Sequence, residues 1–141
     1  MVKPQRYEKL YIITRRDLAP GLQCAQVAHA AFQFAYEHRH LAAQWLQESN
    51  FVVILSEKDE EALTAFGKMI EANNIPVTWF TEPDIDDQVT AIALAPSPRT
   101  VELCQELPLA MRELMIRPNQ AESYQAHLFV EDDKFVVAVK L

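Results

Sequence analysis

Glycine is almost missing from this chain: Gly21 and Gly67 are the only two among 141 residues. A loop that cradles phosphates needs several, and neither GxGxxG nor GxxxxGK[ST] is present. Cysteine is equally scarce. Cys24 and Cys104 lie far apart in the sequence. That excludes a disulfide framework and matches no metal-ligand spacing. No apolar run approaches the roughly 18 residues of a membrane-spanning helix. Residues 1–15 contain no continuous apolar stretch of the leader type. These absences lead us to expect a soluble, reducing, cytoplasmic protein with no membrane partner, no cofactor and no metal. Basic residues are also in the minority, 13 against 20 acidic, for a formal net charge of -7. Spread evenly, that balance is unfavourable for nucleic acid.

The charge is not spread evenly. Lys3, Arg6, Lys9, Arg15 and Arg16 fall in the first sixteen residues, with only Glu8 against them. Two readings stay open, an ordinary solvated strand flank and a local anion-attracting patch. Half of the residues are hydrophobic, enough for one domain with a real core.

Apolar runs and breakers give the order of elements. Residues 8–14 read as a strand and 20–38 as a helix, with Ala25, Ala28, Phe32 and Ala35 as its core stripe. His38-Arg39-His40 turns the chain, and the adjacent positions diverge too much to hold a metal. A second helix covers 41–48, and Phe51–Leu55 is a buried strand. Ser56 is expected to cap the next helix with Asp59 as partner. That helix buries Leu63, Phe66 and Ile70 and ends at Asn73-Asn74. Strands follow at 77–80 and 90–95, separated by an acidic loop from Glu82 to Gln88. Residues 99–106 read as a short helix and 119–126 as a polar loop. A hairpin is expected from 127–130 and 135–139 around a four-residue loop. Trp45 and Trp79 sit amid apolar neighbours and read as core.

The alternation implies an α/β fold: a small mixed, mostly parallel sheet of about four strands, covered by helices on both faces, plus a C-terminal β-hairpin extension. Residues 1–106 form the α/β domain. Residues 107–141 form the extension, packed on the same domain.

Candidate chemistry centres on Gly21-Leu22-Gln23-Cys24-Ala25-Gln26-Val27-Ala28-His29-Ala30. Positions 22, 26 and 29 share one helical face just beyond a strand's end. Gln26 and His29 there can donate and accept hydrogen bonds. Each has a plain alternative, a surface helix glutamine and a satisfied structural histidine. Cys24 reads as a small packed residue rather than a nucleophile.

This run resembles the type 2 peptidyl-tRNA hydrolases. Members of that family have a strand, an Arg-Asp-Leu step, and a helix opening Gly-Lys-x-x-Ala-Gln-x-x-His-Ala. Arg16-Asp17-Leu18 and Gly21 to Ala30 match it here. A later family segment runs Asp-Ala-Gly, a Thr-containing loop, then Thr-Val-Leu-Gly-Ile-Gly-Pro. Asp84-Ile85-Asp86 and Thr90-Ala91-Ile92-Ala93-Leu94-Ala95-Pro96 resemble it across a shortened loop. The likeness covers residues 8 to 106.

The resemblance implies an α/β fold, a homodimer, and hydrolysis of the ester joining a peptide to the 3' ribose of tRNA, with peptidyl-tRNA as substrate. Gln26, His29 and Asp84 are its implied catalytic residues, and Thr90 lines the substrate site. The family's lysine falls on Leu22, and the family's Gly-Arg-Thr-Gln text is missing between Asp84 and Thr90. Arg15 or Arg16 is expected to replace part of the missing charge, so both join Leu22 on the substrate side. Asp84 is the candidate for orienting or deprotonating water, although an Asp after Pro also suits an Asx turn. Asp86 and Asp87 read as a solvated acidic turn. The alternatives to a hydrolase are a non-catalytic binding module and a hydrolase of a different small substrate on the same fold. An enzyme, an aminoacyl- or peptidyl-tRNA hydrolase, is the favoured expectation.

Overall fold

The computed structural model describes residues 8–112 in full and the backbone of two strands at Ala126–Glu131 and Lys134–Val139. The expected polar loop at 119–126 and the centre of the hairpin loop lie outside the described residues, apart from Ala126. The chain divides into two units, Met1–Ala110 and Met111–Leu141.

The first unit is built on one four-stranded sheet. Its elements run β1 (Lys9–Arg15), α1 (Pro20–Glu37), α2 (Arg39–Glu48), β2 (Phe51–Glu57), α3 (Glu60–Ala72), β3 (Val77–Glu82), a 3-10 turn at Pro83–Ile85, β4 (Gln88–Leu94) and α4 (Pro98–Leu103). The strand order is β2-β1-β4-β3. β1 is buried along nearly its whole length, as an internal strand covered on both faces must be.

Among the described strands one pair is parallel. β1 and β2 run together, with Ile13 opposite Leu55. β4 is antiparallel to both β1 and β3, with Ile92 opposite Ile13 and Trp79. The expectation of a mostly parallel sheet is therefore corrected. Parallel neighbours need a crossover of a dozen or more residues. The connection from β3 to β4 is the short stretch 83–87, which permits only a hairpin.

Two helices cover opposite faces. Phe80 and its partner Ala91 face α1, since the Phe80 ring stacks on His29. Trp79 and its partner Ile92 face α3. A Cβ on Gly67 of α3 would lie 2.3 Å from the Trp79 ring. Glycine at 67 therefore lets the helix seat directly on the indole, whose Nε1 donates to Glu71 at 3.0 Å. Phe34, Leu63, Ile70, Ile12 and Leu94 complete the core at 1% exposure or less. Burying a side chain such as Phe34 contributes about 2–3 kcal/mol.

Several local expectations change. The buried stripe of α1 is Gln23, Gln26, Val27, Ala30 and Phe34. Phe32 of the expected stripe is 79% exposed, and Ala25, Ala28 and Ala35 are exposed with it. Asp59, not Ser56, caps α3: its carboxylate accepts from the Ala62 N–H at 2.9 Å. Ser56 is still inside β2. His38 closes α1, donating its N–H to Phe34 at 2.8 Å. Arg39 and His40 open α2, and the Arg39 guanidinium lies 5.2 Å from the Tyr36 ring centre. Both tryptophans pack partly buried against the core.

Residues 107–110, the end of the first unit, fold back beside β2. Ser56 N–H donates to Pro108 at 3.0 Å and Ala110 N–H to Ile54 at 2.9 Å, covering part of the β2 edge. In the second unit, β5 (Ala126–Glu131) and β6 (Lys134–Val139) pair antiparallel, with Leu128 opposite Val137.

Candidate active site

The site begins where β1 ends. Arg15, Asp17 and Leu18 turn the chain into α1, whose first residue Pro20 needs no hydrogen-bond partner. Ala19 offers no side-chain cap. Gln23 stabilises the entry instead, donating Nε2–H to the Leu18 carbonyl at 2.7 Å.

One turn further on, Gln26 is 1% exposed and bonded at both ends of its amide. Its Nε2 donates to Glu82 Oε2 at 2.8 Å, and its Oε1 accepts from the Thr90 hydroxyl at 2.5 Å. The Thr90 carbonyl in turn accepts from Thr14 Oγ1 at 3.1 Å. A buried amide must find such partners, because an unpaired one costs about 1–3 kcal/mol. The bonds run in one sense, from hydroxyl to amide to carboxylate, so each polarises the next.

Thr90 reaches Gln26 because β4 is irregular. Phe80 pairs with Ala91 but Thr81 pairs with Val89, so Thr90 is an extra residue. Strict alternation would aim it with Ile92 towards α3. The bulge turns it towards α1, as bulges beside functional sites do.

Glu82 is the hub. Its other oxygen, Oε1, accepts the Asp84 N–H at 3.2 Å. The bond from Gln26, then the bond from Asp84, and the nearby His29 hold its carboxyl below the usual carboxylate range. It is ionised at neutral pH. His29 is exposed and lies flat on Phe80, with ring centres 4.6 Å apart and planes within 6°.

Gln26, His29, Thr90 and the backbone of Asp84 are thus drawn together around a carboxylate 56 residues from Gln26. The Asp84 side chain is exposed. Asp86 and Asp87 both take left-handed backbone, with φ of 51° and 55°. Aspartate tolerates that conformation, which explains the acidic turn without catalysis.

Arg15 departs from its expected role. It is 6% exposed, and four of its five N–H donors are engaged. Nε and Nη2 fork onto Asp17 at 3.0 and 2.8 Å, and Nη1 meets Gln88 Oε1 at 2.9 Å and the Val89 carbonyl at 3.1 Å. Bonding to Arg15 lowers the Asp17 carboxyl below its ordinary range. Arg16 is exposed, and its Nη1 lies 3.4 Å from the Ser56 carbonyl, on the β2 side. Leu22 is partly buried one turn ahead of Gln26 and brings no donor. Burial pushes the Cys104 thiol up to about 12, so it carries no thiolate. Among the described residues no group of three or more His, Cys, Asp or Glu converges to hold a metal.

Glu82 and Phe80 are the residues that sequence reasoning missed. The only signal was Glu82's place as the first residue of the acidic loop, immediately before Pro83.

A mixed α/β sheet with a polar cluster where β1 passes into α1 defines the class of domain. The chain belongs to the peptidyl-tRNA hydrolase PTH2 family, whose pattern matches residues 8–107. A solved structure, a protein of unknown function from Agrobacterium tumefaciens strain C58, shares the fold. It aligns with a TM-score of 0.55 at 15% identity, covering 73% of this chain and 98% of that one. No curated protein matches the chain. No helix among the described residues is long and apolar enough to cross a membrane.

Proposed function

We propose that this chain is a peptidyl-tRNA hydrolase-like esterase that cleaves the bond between a peptide and the 3' ribose of tRNA, with water as the co-substrate. The observation that carries the reading is the bonded chain Thr90–Gln26–Glu82 beside the exposed His29, within a domain of that family. Glu82 orients the attacking water, since an ionised carboxylate accepts its proton's hydrogen bond. Gln26 fixes the carboxylate, and Thr90 fixes Gln26. His29 faces solvent and meets the substrate ester as donor or proton carrier. The Asp84 carboxylate supplies a second acceptor beside Glu82. Arg16 offers an exposed positive charge for tRNA phosphate, while Arg15 holds the loop. Leu22 gives the acyl chain an apolar wall.

The test is release of free tRNA from an N-blocked aminoacyl-tRNA by the purified chain. A second reading, a non-catalytic binding module, is favoured by Leu22 and by the net charge of -7. It predicts saturable binding of a protein, nucleotide or small ligand with no release of tRNA.

We also infer a homodimer through the outer stripe of α1. Phe32 and Tyr36, four residues apart, are 79% and 72% exposed. Light scattering tests this: Phe32→Asp yields a monomer, and an unchanged mass sinks the inference.

A further inference from the structure

Next to the bulge, Val89 pairs with Thr81 of β3, but the β1 ladder stops at Ala91, so on that side charged side chains take the place of a strand partner. Val89 immediately precedes Thr90. Its carbonyl accepts from Arg15 Nη1 at 3.1 Å, and its N–H donates to Glu60 Oε2 at 2.6 Å. Both polar groups of one backbone residue are gripped by charged side chains from two elements, the end of β1 and the first turn of α3. The grip is rigid. Arg15 is locked by its fork onto Asp17, and Glu60 sits beside Asp59, which caps the same helix. Charge-assisted bonds of this kind are roughly twice as strong as neutral ones.

We propose that Arg15 and Glu60 are positioning residues: by clamping Val89 they hold the β4 bulge that aims the Thr90 hydroxyl at Gln26. The clamp acts through the backbone, and its kinetic consequence rests on the hydrolase reading. Its structural consequence does not. Without the clamp, β4 slips towards regular alternation and Thr90 leaves Gln26. Glu82 then loses the partner that fixes it.

The test uses the full chain and two readouts. The first is hydrogen exchange of the Gln26 side-chain amide followed by NMR. The second is peptidyl-tRNA cleavage resolved into kcat and KM. Glu60→Asp shortens the reach to Val89 while keeping charge and helix start. Glu60→Gln keeps an acceptor oxygen at full length. Arg15→Lys keeps the charge but loses the fork. In Glu60→Asp and Arg15→Lys, Gln26 exchange accelerates at least about tenfold while Ile12 and Ile13 amides are unchanged, as expected for local opening. In the same variants kcat falls by about ten- to a hundredfold, as for a small misplacement, and KM stays within about twofold. Glu60→Gln restores both readouts. Wild-type exchange at Gln26 in both Glu60→Asp and Arg15→Lys overturns the clamp. Absence of cleavage by the wild type overturns the hydrolase reading alone, and the exchange data still decide the clamp.

Discussion

Replacing Gln26 by Glu tests the buried relay with an almost isosteric change. The amide nitrogen that donates to Glu82 at 2.8 Å becomes an oxygen. The Thr90 hydroxyl keeps its acceptor. Two carboxyl groups then face each other, the new one at a position only 1% exposed and Glu82 partly exposed. They cannot both ionise cheaply, so the pair retains a proton above the ordinary range. Burial beside a like charge raises such a group by about 2–3 units, and each unit corresponds to about 1.36 kcal/mol. The loss at neutral pH is therefore about 3 kcal/mol, a large share of the roughly 5–15 kcal/mol that holds a domain folded.

The sign follows from the direction of the shift. The new carboxyl is raised in the fold above its unfolded value near about 4.3. Its penalty is absent below that value and grows as pH rises through neutrality. Wild-type Glu82 behaves in the opposite way. Its carboxyl is held low in the fold, so its contribution is present above the unfolded carboxylate range and is lost as pH falls. The assay is urea unfolding of both proteins from about pH 4 to 7.5. At a slope of about 2 kcal/mol/M, midpoints that nearly coincide in acid separate by about 1.5 M at neutral pH. Parallel midpoints across the range would refute a close Gln26–Glu82 contact.

Two further outcomes follow from the packing and the site. Gly67→Ala forces the Trp79 indole off α3, since the new methyl would lie 2.3 Å from the ring; it lowers stability by about 1–3 kcal/mol, read from thermal unfolding, and shifts tryptophan emission to the red. Leu22→Lys restores a positive charge one turn from Gln26 and raises cleavage of peptidyl-tRNA by about tenfold or more; an equal or lower rate shows that the apolar side chain is the better fit.

Much of this was legible because residues carry their own constraints. Gln26 and His29 are spaced three apart, which puts them on one face, and β1 and β4 announce themselves as apolar runs. The buried side of α1 was not legible. Alanines at 25, 28, 30 and 35 flatten the hydrophobic period, and the helix buries two glutamines, Gln23 and Gln26, that a pattern of apolar residues assigns to solvent. The direction of β4 was readable from the short 83–87 connection but was overridden by the expectation of crossovers. Glu82's role could not be read from its place before Pro83 alone. Its role exists only when β3 brings it against α1. Thr90's orientation depends on a bulge that no local residue type signals.

The most direct test of the central claim is single-turnover cleavage of peptidyl-tRNA by the wild type beside Glu82→Gln, a change that keeps shape but removes the ionised acceptor. The wild type releases free tRNA, and the rate falls by about a hundredfold or more in the variant. Equal rates in the two proteins, or no release by the wild type, would contradict that claim.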